Sequence, residues 1–194
     1  SVVSSHCPHG NRHIFADLVR SVNPAIRVAA TRKTCPGLRE LDKKAVVLGG
    51  GNPHRTNLSD GILIKDNHLA LISLNDSIKK AKSRSRHYKI EVEVTSADDA
   101  VRAAHAGSDI IMFDNMSVEQ VRRSLDALRS SGLRDRVIIE ISGGIDAENI
   151  LDYAALGVDM ISIGAGRVTG VWCEYLGTFH SNWFIYNKTV YNTY

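Results

Sequence analysis

The chain has 194 residues, of which 43% are hydrophobic and 23% charged, a length and composition typical of one globular domain with a sizeable core. Its formal net charge of +3 is mild, and no basic stripe is interleaved with aromatic residues, which argues against a nucleic-acid partner. No apolar run approaches the length of a membrane span, and the start lacks a signal-peptide pattern, so we expect no membrane partner.

The cysteines indicate a reducing environment. Cys7, Cys35 and Cys173 form an odd, widely separated set without a CxxC pair. This spacing argues against a disulfide framework, and we therefore expect a cytoplasmic location.

The start of the chain allows two interpretations. Three histidines and one cysteine fall within positions 6–13, and His9 and His13 have the i, i+4 spacing of helical metal ligands. Pro8 and Gly10 would break a helix that carries such ligands. The alternative is a loosely ordered end, with a helix that begins near Arg12.

Alternating apolar patterns predict the elements that follow. The first helix should end at Asn23-Pro24, and the next helix at the three glycines 49–51. The predicted strands are 27–30, 62–64, 90–94, 110–113, 137–141 and 160–163, and the predicted helices are 14–22, 38–48, 71–84, 96–106, 118–130 and 146–156. The helix at 96–106 should open with a Ser96-x-x-Asp99 capping box and end at Gly107, and Ser117 and Asp146 should cap the two helices that follow.

Short apolar strands that alternate with amphipathic helices indicate repeated βα units and an α/β fold with a parallel sheet. We predict an incomplete TIM-like α/β barrel of parallel strands with outer helices. An open Rossmann-type sheet is the alternative, but no GxGxxG follows the first strand. The barrel should occupy residues 25–170, between an N-terminal segment and helix at 1–24 and a divergent tail at 171–194.

Clusters of cations follow three of the predicted strands or glycine runs. They are Thr31-Arg32-Lys33, His54-Arg55 and Lys65-Asp66-Asn67-His68. In α/β barrels the loops at the carboxyl ends of the strands carry the site. Converging cations repel one another unless an anion neutralises them, so the expected ligand is small and carries carboxylates, phosphates or both. Taken singly, these residues could be ordinary surface charges, Lys65-Asp66 a simple ion pair, and His68 a structural hydrogen-bonding residue.

Two glycine turns follow successive strands near the end of the predicted barrel. They are Ser142-Gly143-Gly144 and Gly164-Ala165-Gly166. Glycines let backbone N–H groups approach a phosphate, and the following helix N-terminus would add its dipole. The alternative is a pair of plain tight turns.

Two carboxylates end neighbouring predicted strands. Glu91 and Glu93 share one face of their strand, and Glu93 should lie nearest the ligand, with Asp114 at the end of the next strand. Such carboxylates can hold ribose hydroxyls, bind Mg²⁺ or stabilise a carbon that becomes cationic. They could also be solvated strand ends.

Three segments together resemble a known family. They are Thr31-Arg32-Lys33-Thr34-x-Pro36-Gly37-Leu38-Arg39, Gly49-Gly50-Gly51-x-x-His54-Arg55 and Ile64-Lys65-Asp66-Asn67-His68. In this order they resemble quinolinate phosphoribosyltransferase, the nicotinate-nucleotide pyrophosphorylase of NAD biosynthesis. The resemblance covers about residues 12–166. It implies a pentosyltransferase that joins quinolinate to phosphoribosyl pyrophosphate and releases nicotinate mononucleotide, pyrophosphate and CO2.

The resemblance also implies roles for single residues. Quinolinate would be bound by Arg32, Lys33, His54, Arg55 and Lys65, with Thr31 beside them. The 5′-phosphate would lie on Ser142, Gly143, Gly144, Gly164 and Ala165. Lys65, Glu93 and Asp114 would be catalytic, the two carboxylates acting on the ribose, and Mg²⁺ would be held by Asp66 and Asp114.

The chain departs from the family at both ends. The family's N-terminal domain, which reaches into the partner subunit's site, precedes the part that this chain resembles, and Gly166-Arg167-Val168-Thr169 replaces a Leu-Thr-His-Ser continuation. We expect a homodimer or higher homo-oligomer in the intact family, and weak binding with little turnover by this polypeptide alone. The alternatives are a molybdenum-transport-associated homologue, which usually loses the Lys-Asp-Asn-His run, and a non-catalytic anion-binding barrel remnant.

Overall fold

A computed structural model describes residues 11–32, 34, 37–55, 57, 60–84 and 87–164. Several sequence predictions lie outside these residues: the His/Cys-rich positions 6–10, Lys33, Ala165, all three cysteines and the tail from 171 to 194.

Six parallel strands and seven α-helices make up the described part of the chain. The strands are β1 (Arg27–Ala30), β2 (Ile62–Ile64), β3 (Ile90–Val94), β4 (Ile110–Asp114), β5 (Ile138–Ser142) and β6 (Met160–Ile163). The helices are α1 (Asn11–Val22), α2 (Arg39–Leu48), α3 (Asp66–Leu69), α4 (Leu74–Arg84), α5 (Ala97–Ala106), α6 (Val118–Ser130) and α7 (Ile150–Ala154), with a 3-10 turn at Arg134–Arg136.

The strands form one sheet in the order β1-β6-β5-β4-β3-β2, with every neighbouring pair parallel. The predicted incomplete α/β barrel is thereby confirmed, since β1 and β2 lie at the two edges of the described sheet and do not pair with each other. A bridge partly fills the gap, because Asn52 pairs with Ala29 beside β1. The backbone N–H of Asn52 donates to Val28 O at 2.7 Å, and the backbone N–H of Ala30 donates to Asn52 O at 3.0 Å. This bridge places the next residues, His54 and Arg55, at the mouth of the barrel.

Local capping signals set several helix ends as predicted. Ser96 Oγ accepts a hydrogen bond from Asp99 N at the start of α5, and Gly107 ends that helix in the left-handed conformation with φ of 85°. Ser117 and Gln120 form a capping box at the start of α6.

Two predicted helix starts are wrong. Leu71 is 85% exposed and precedes the helix, because the segment after β2 first makes the separate turn α3, and α4 begins only at Leu74. Asp146 does not cap α7, which begins at Ile150. Its carboxylate instead accepts hydrogen bonds from the backbone of Glu148 and Asn149 in a turn.

The two faces of the sheet differ in character. Alternate residues such as Val92, Ile111, Ile139 and Ile161 are fully buried in the core beneath the helices. The residues between them on each strand face the barrel interior. On β3 to β6 these inward-facing residues include the polar or charged Glu91, Glu93, Asp114, Glu140, Ser142 and Ser162. A polar interior in an apolar sheet is costly unless its groups are paired, which points to a site inside the barrel.

None of the helices in the described part of the chain combines the length and apolar composition that crossing a bilayer requires.

Candidate active site

A cavity of about 680 Å³ opens at the carboxyl edge of the sheet. It brings together residues that the sequence predicted from separate motifs, namely Thr31, Arg32, His54, Arg55, Lys65, Glu93, Asp114, Ser142, Gly143, Gly144 and Gly164. Residues without a predicted role also line it, among them Asn115, Glu140 and Ser162. Asp66, predicted as a metal ligand, is exposed on α3 and is not among the lining residues.

Two arginines that line this cavity each have an N–H donor that no described residue uses. The Nε atoms of Arg32 and Arg55 are buried and have no hydrogen-bond partner among the described residues. The Glu91 carboxylate approaches Arg55, but its oxygen lies 3.9 Å from Nε, beyond hydrogen-bond distance. A buried donor without a partner costs free energy, and a bound carboxylate would satisfy it through a charge-assisted hydrogen bond.

Lys65 pairs with a carboxylate of the next strand rather than with its neighbour Asp66. Its Nζ lies 2.7 Å from Glu93 Oε2. The Glu93 side chain is only 11% exposed, so this ion pair fixes the position of the carboxylate at the cavity wall. His68 has the structural role considered above, since its Nδ1 accepts a hydrogen bond from Lys65 N at 3.0 Å.

The first glycine turn packs tightly against the end of β4. Gly143 and Gly144 have φ of 83° and 63°, and Asn115 opposite them has φ of 52°. An idealised Cβ on Gly143 would lie 2.4 Å from Asn115 Oδ1 and 2.9 Å from its backbone nitrogen. Glycine is therefore required at position 143. Because α7 begins only at Ile150, the predicted phosphate contact depends on backbone N–H groups of the turn rather than on a helix end.

If the turn holds the 5′-phosphate as the resemblance implies, Gly143→Ala should weaken the binding of phosphoribosyl pyrophosphate and leave quinolinate binding unchanged. The new Cβ would displace Asn115, which follows Asp114 in the wall of the cavity. Gly132→Ala is the matched control. Gly132 has a left-handed φ of 66°, so the substitution carries similar strain of about 1–2 kcal/mol, but its Cβ would meet no atom within 4 Å and the residue does not line the cavity. Calorimetric titration of both variants with both ligands measures the effect. Equal losses for the two ligands in Gly143→Ala would contradict it.

A buried charged cluster forms the floor of the cavity. His54 Nε2 lies 3.0 Å from Glu140 Oε2 and 4.0 Å from Glu91 Oε1. Ser162 Oγ donates to the other oxygen of Glu140 at 2.5 Å. Glu140 is fully buried and Glu91 is 3% exposed.

Sequence reasoning missed the roles of Glu91 and Glu140. The available signal was a single charged residue in a strand that is otherwise continuously apolar, Ile138 to Ile141, which indicates a carboxylate facing a buried polar interior.

Burial and charge oppose each other in this cluster. Burial alone would lower the pKa of His54, but the hydrogen bond to Glu140 and the charges of Glu140 and Glu91 outweigh burial and the nearby Arg55, so that the pKa is raised. For Glu91, burial and the charge of Glu140 raise the pKa to about 7. The cluster therefore favours the protonated form of His54, and the Glu91 carboxyl titrates near pH 7.

Carboxylate oxygens that suit Mg²⁺ are present in the cavity. Asp114 lines it and is partly exposed, and its Oδ2 accepts a hydrogen bond from the Asn115 side chain at 3.0 Å. Mg²⁺ usually binds one or two carboxylates together with substrate phosphates, so a cavity-lining Asp114 fits it.

Of the His, Cys, Asp and Glu side chains that the structure describes, only His54, Glu91 and Glu140 form a group of three close enough to share an ion, and Arg55 lies beside them.

Comparison with known proteins gives consistent matches over the described part. The family model for the quinolinate phosphoribosyl transferase C-terminal domain matches residues 12–171. Over 147 residues the chain is 52% identical to the probable nicotinate-nucleotide pyrophosphorylase (carboxylating) of Methanothermobacter thermautotrophicus, covering 75% of this chain and 53% of that protein. The nicotinate-nucleotide pyrophosphorylase (carboxylating) of Rattus norvegicus is 34% identical over 150 residues, covering 76% and 50% of the two chains.

Solved structures show the same similarity. The nicotinate-nucleotide pyrophosphorylase from Francisella tularensis superposes with a TM-score of 0.71 at 38% identity, over 80% of this chain and 52% of that one. NadC from Streptococcus pyogenes gives a TM-score of 0.70 at 41% identity, over 78% and 53%. The chain spans about half the length of the curated relatives it matches.

Proposed function

The chain belongs to the quinolinate phosphoribosyl transferase family, because residues 12–171 match the C-terminal domain of that family. From that premise we propose that the chain forms the catalytic barrel of a phosphoribosyltransferase. The reaction converts quinolinate and phosphoribosyl pyrophosphate to nicotinate mononucleotide, pyrophosphate and CO2 in de novo NAD biosynthesis. The enzyme would be a pentosyltransferase of the nicotinate-nucleotide diphosphorylase (carboxylating) type. A homodimeric or higher assembly and a cytoplasmic location are part of the same proposal.

One observation carries the proposal: two buried arginine Nε atoms, which have no hydrogen-bond partner in the described part of the chain, share a cavity with strand-end carboxylates and a glycine turn. Arg32 and Arg55, with His54 between β1 and β2, supply cations for the two carboxylates of the pyridine acid. Planar guanidinium groups bind carboxylates in a defined orientation, which places the ring for reaction.

The carboxylates of β3 and β4 suit the ribosyl group. The new bond joins the ring nitrogen of quinolinate to the anomeric carbon as the bond from that carbon to pyrophosphate breaks, and positive charge develops on the sugar. Glu93 and Asp114 lie at the cavity wall, where ionised carboxylates stabilise such charge. The ion pair with Lys65 holds the Glu93 side chain in place.

The 5′-phosphate would lie on the turn from Ser142 to Gly144 and near Gly164, where the cavity wall has no side chain beyond Cα at three of these four positions. Asp114 would hold Mg²⁺, which when bound neutralises charge on the pyrophosphate. Asp66 is a ligand by the family resemblance alone, since it is exposed on α3 outside the cavity lining. In the second step the C–CO2⁻ bond of the carboxylate beside the ring nitrogen breaks. Its electron pair is stabilised by the quaternary nitrogen, and a proton then replaces CO2.

A paired binding and product assay tests the proposal. The chain is titrated with quinolinate and phosphoribosyl pyrophosphate in the presence of Mg²⁺, and nicotinate mononucleotide is then measured. We expect binding of both ligands, with slow turnover by this polypeptide that increases when a family-type N-terminal domain is joined to it. Binding of both ligands without product in either form would indicate a non-catalytic anion-binding module. Failure to bind quinolinate would contradict the proposal.

Arg32→Ala should weaken quinolinate binding by roughly 1.5–3 kcal/mol, because one charge-assisted contact is lost. Arg55→Ala should have an effect of the same sign. Because the Arg55 guanidinium also attracts the buried Glu91 carboxylate at 3.9 Å, this variant removes one favourable charge from Glu91 as well. Arg122→Ala is the control, since Arg122 is exposed on α6, away from the cavity. Isothermal titration decides the matter, and an Arg32→Ala affinity equal to that of Arg122→Ala would rule out this contact.

A further inference from the structure

Glu140 is the most deeply buried charge of the barrel interior, and the family resemblance gave it no role. Its side chain is 0% exposed, and each of its oxygens has one partner. Oε2 lies 3.0 Å from His54 Nε2, and Oε1 accepts the Ser162 hydroxyl. A carboxylate removed this far from water is costly unless it is paired with a cation, and the basic group within hydrogen-bond distance of Glu140 is the His54 imidazole.

His54 occupies a constrained position. It is a non-glycine residue with φ of 53°, in the segment that bridges the open side of the barrel. Its backbone N–H donates to Asn52 Oδ1 at 2.7 Å, and its side chain is 10% exposed. Strained backbone of this kind persists only where the surroundings determine it, and the long-range contact with Glu140 is one such determinant.

The contact with Glu140 also decides which atom of His54 is available. Nε2 is taken by the carboxylate, whereas Nδ1 has no hydrogen-bond partner among the described residues. A protonated imidazole donates from both nitrogens, so a His54 held in this form has one donor left, and the residue lines the ligand cavity.

We infer that Glu140 is a positioning residue that keeps His54 protonated on both nitrogens, so that Nδ1–H serves as a donor for a carboxylate of the acid substrate. Ser162 orients Glu140 from behind. The inference rests on the proposed function for the identity of the acid, but the arrangement of Glu140, His54 and Ser162 is independent of it. In this arrangement the site recognises the carboxylate of the ligand through the His54 cation, and Glu140 maintains that charge without contacting the ligand.

Charged groups around His54 define what else acts on it. Glu140 and Glu91 approach it from β5 and β3, and Arg55 is its neighbour in the chain. Further charged residues line the adjoining cavity below His54, on the side of the strand N-termini: Arg27, Asp60, Lys89 and Asp159. All of these remain in a Glu140 variant, so that the effect of the one carboxylate can be isolated.

The test combines two measurements on the full chain. The His54 imidazole is titrated by NMR, with its resonance assigned by comparison with His54→Gln, and quinolinate affinity is measured from about pH 5.5 to about pH 8. The variant is Glu140→Gln, which keeps the shape and removes the charge. Glu148→Gln makes the same chemical change at an exposed position and is the control.

We expect Glu140→Gln to lower the pKa of His54 and to weaken quinolinate binding about tenfold or more near neutral pH, with recovery of affinity toward about pH 5.5 as His54 takes up its proton. Glu148→Gln should change neither quantity. A purely structural role would instead reduce affinity by the same factor at every pH, and that result would overturn the inference. An unchanged His54 pKa in Glu140→Gln would overturn it as well.

Two further outcomes keep the test decisive. If Glu140→Gln does not fold, Glu140→Asp keeps the charge but shortens the side chain, and it should lower the His54 pKa by a smaller amount; a pKa equal to that of the unmodified chain would refute the role of the hydrogen bond. If the unmodified chain does not bind quinolinate, the proposed function fails, while the His54 titration still decides whether Glu140 maintains the imidazolium.

Discussion

Lys43→Met should lower the free energy of unfolding by roughly 3–5 kcal/mol, because it removes a buried cation and leaves several carbonyl groups without a donor. Lys43 is only 4% exposed although it lies on helix α2. Its Nζ donates to Ala30 O at 2.9 Å, to Thr31 O at 3.1 Å and to Pro53 O. One side chain thus joins α2 to the end of β1 and to the segment that carries His54.

The same contacts link stability to the site. Thr31 begins the loop that carries Arg32, and Pro53 directly precedes His54, so loss of the Lys43 contacts should also weaken quinolinate binding. Thermal or urea unfolding measures the first effect, and titration of the folded variant the second. Lys44→Met is the matched control, since the adjacent lysine is exposed and the chemical change is identical. Equal stabilities of the two variants would show that the buried ammonium group does not hold these segments together.

The second large effect concerns pH. The stability of the chain should fall as pH rises from about 4.5 to about 7 through Glu91, and further as pH rises through the raised folded-state pKa of His54. The pKa of Glu91 is raised from 4.5 in the unfolded chain to about 7 in the fold. Between these values the folded state binds more protons than the unfolded state, so the unfolding free energy decreases with pH, by on the order of 3 kcal/mol in total for this group.

His54 acts in the same direction at higher pH. Its pKa is raised above 6.5 in the folded protein, so its contribution is fully present below 6.5 and is lost as pH rises through the folded-state value. The pH windows of Glu91 and His54 overlap between 6.5 and about 7, so we expect one continuous decline of stability rather than two separate steps.

Glu91→Gln isolates the carboxyl. Glutamine resembles the neutral acid, so the variant should match the unmodified chain near about pH 4.5 and exceed it in stability by on the order of 3 kcal/mol near about pH 8. Urea unfolding at several pH values gives this difference directly, and contributions from other carboxylates cancel in it. A difference that does not change with pH would mean that Glu91 titrates normally in the fold.

Local patterns were sufficient to predict the fold class. The period of the apolar residues, the Ser96 and Ser117 caps and the glycine that ends α5 act over a few residues, and each predicted its element because the physics of a helix end or a strand face is itself local. Where a local pattern continued across a boundary it misled. Leu71 extends the apolar spacing of α4 backwards, but the chain turns at α3 and leaves Leu71 exposed.

The sequence by itself also determined that most of the predicted site residues would share one cavity, since charged and glycine motifs follow strands, and parallel strands place their carboxyl ends at one edge. Which charges pair was decided only by the tertiary structure. His54 and Glu140 are 86 positions apart, and Lys65 and Glu93 are 28 apart. The sequence does not distinguish Lys43 from an ordinary cation on a helix surface. Its burial depends on the end of β1 and the Pro53 segment, which cover it in the folded chain. A side chain's charge is set by its residue type, but its burial and partners depend on strand order and register, which the chain specifies only collectively through the packed barrel.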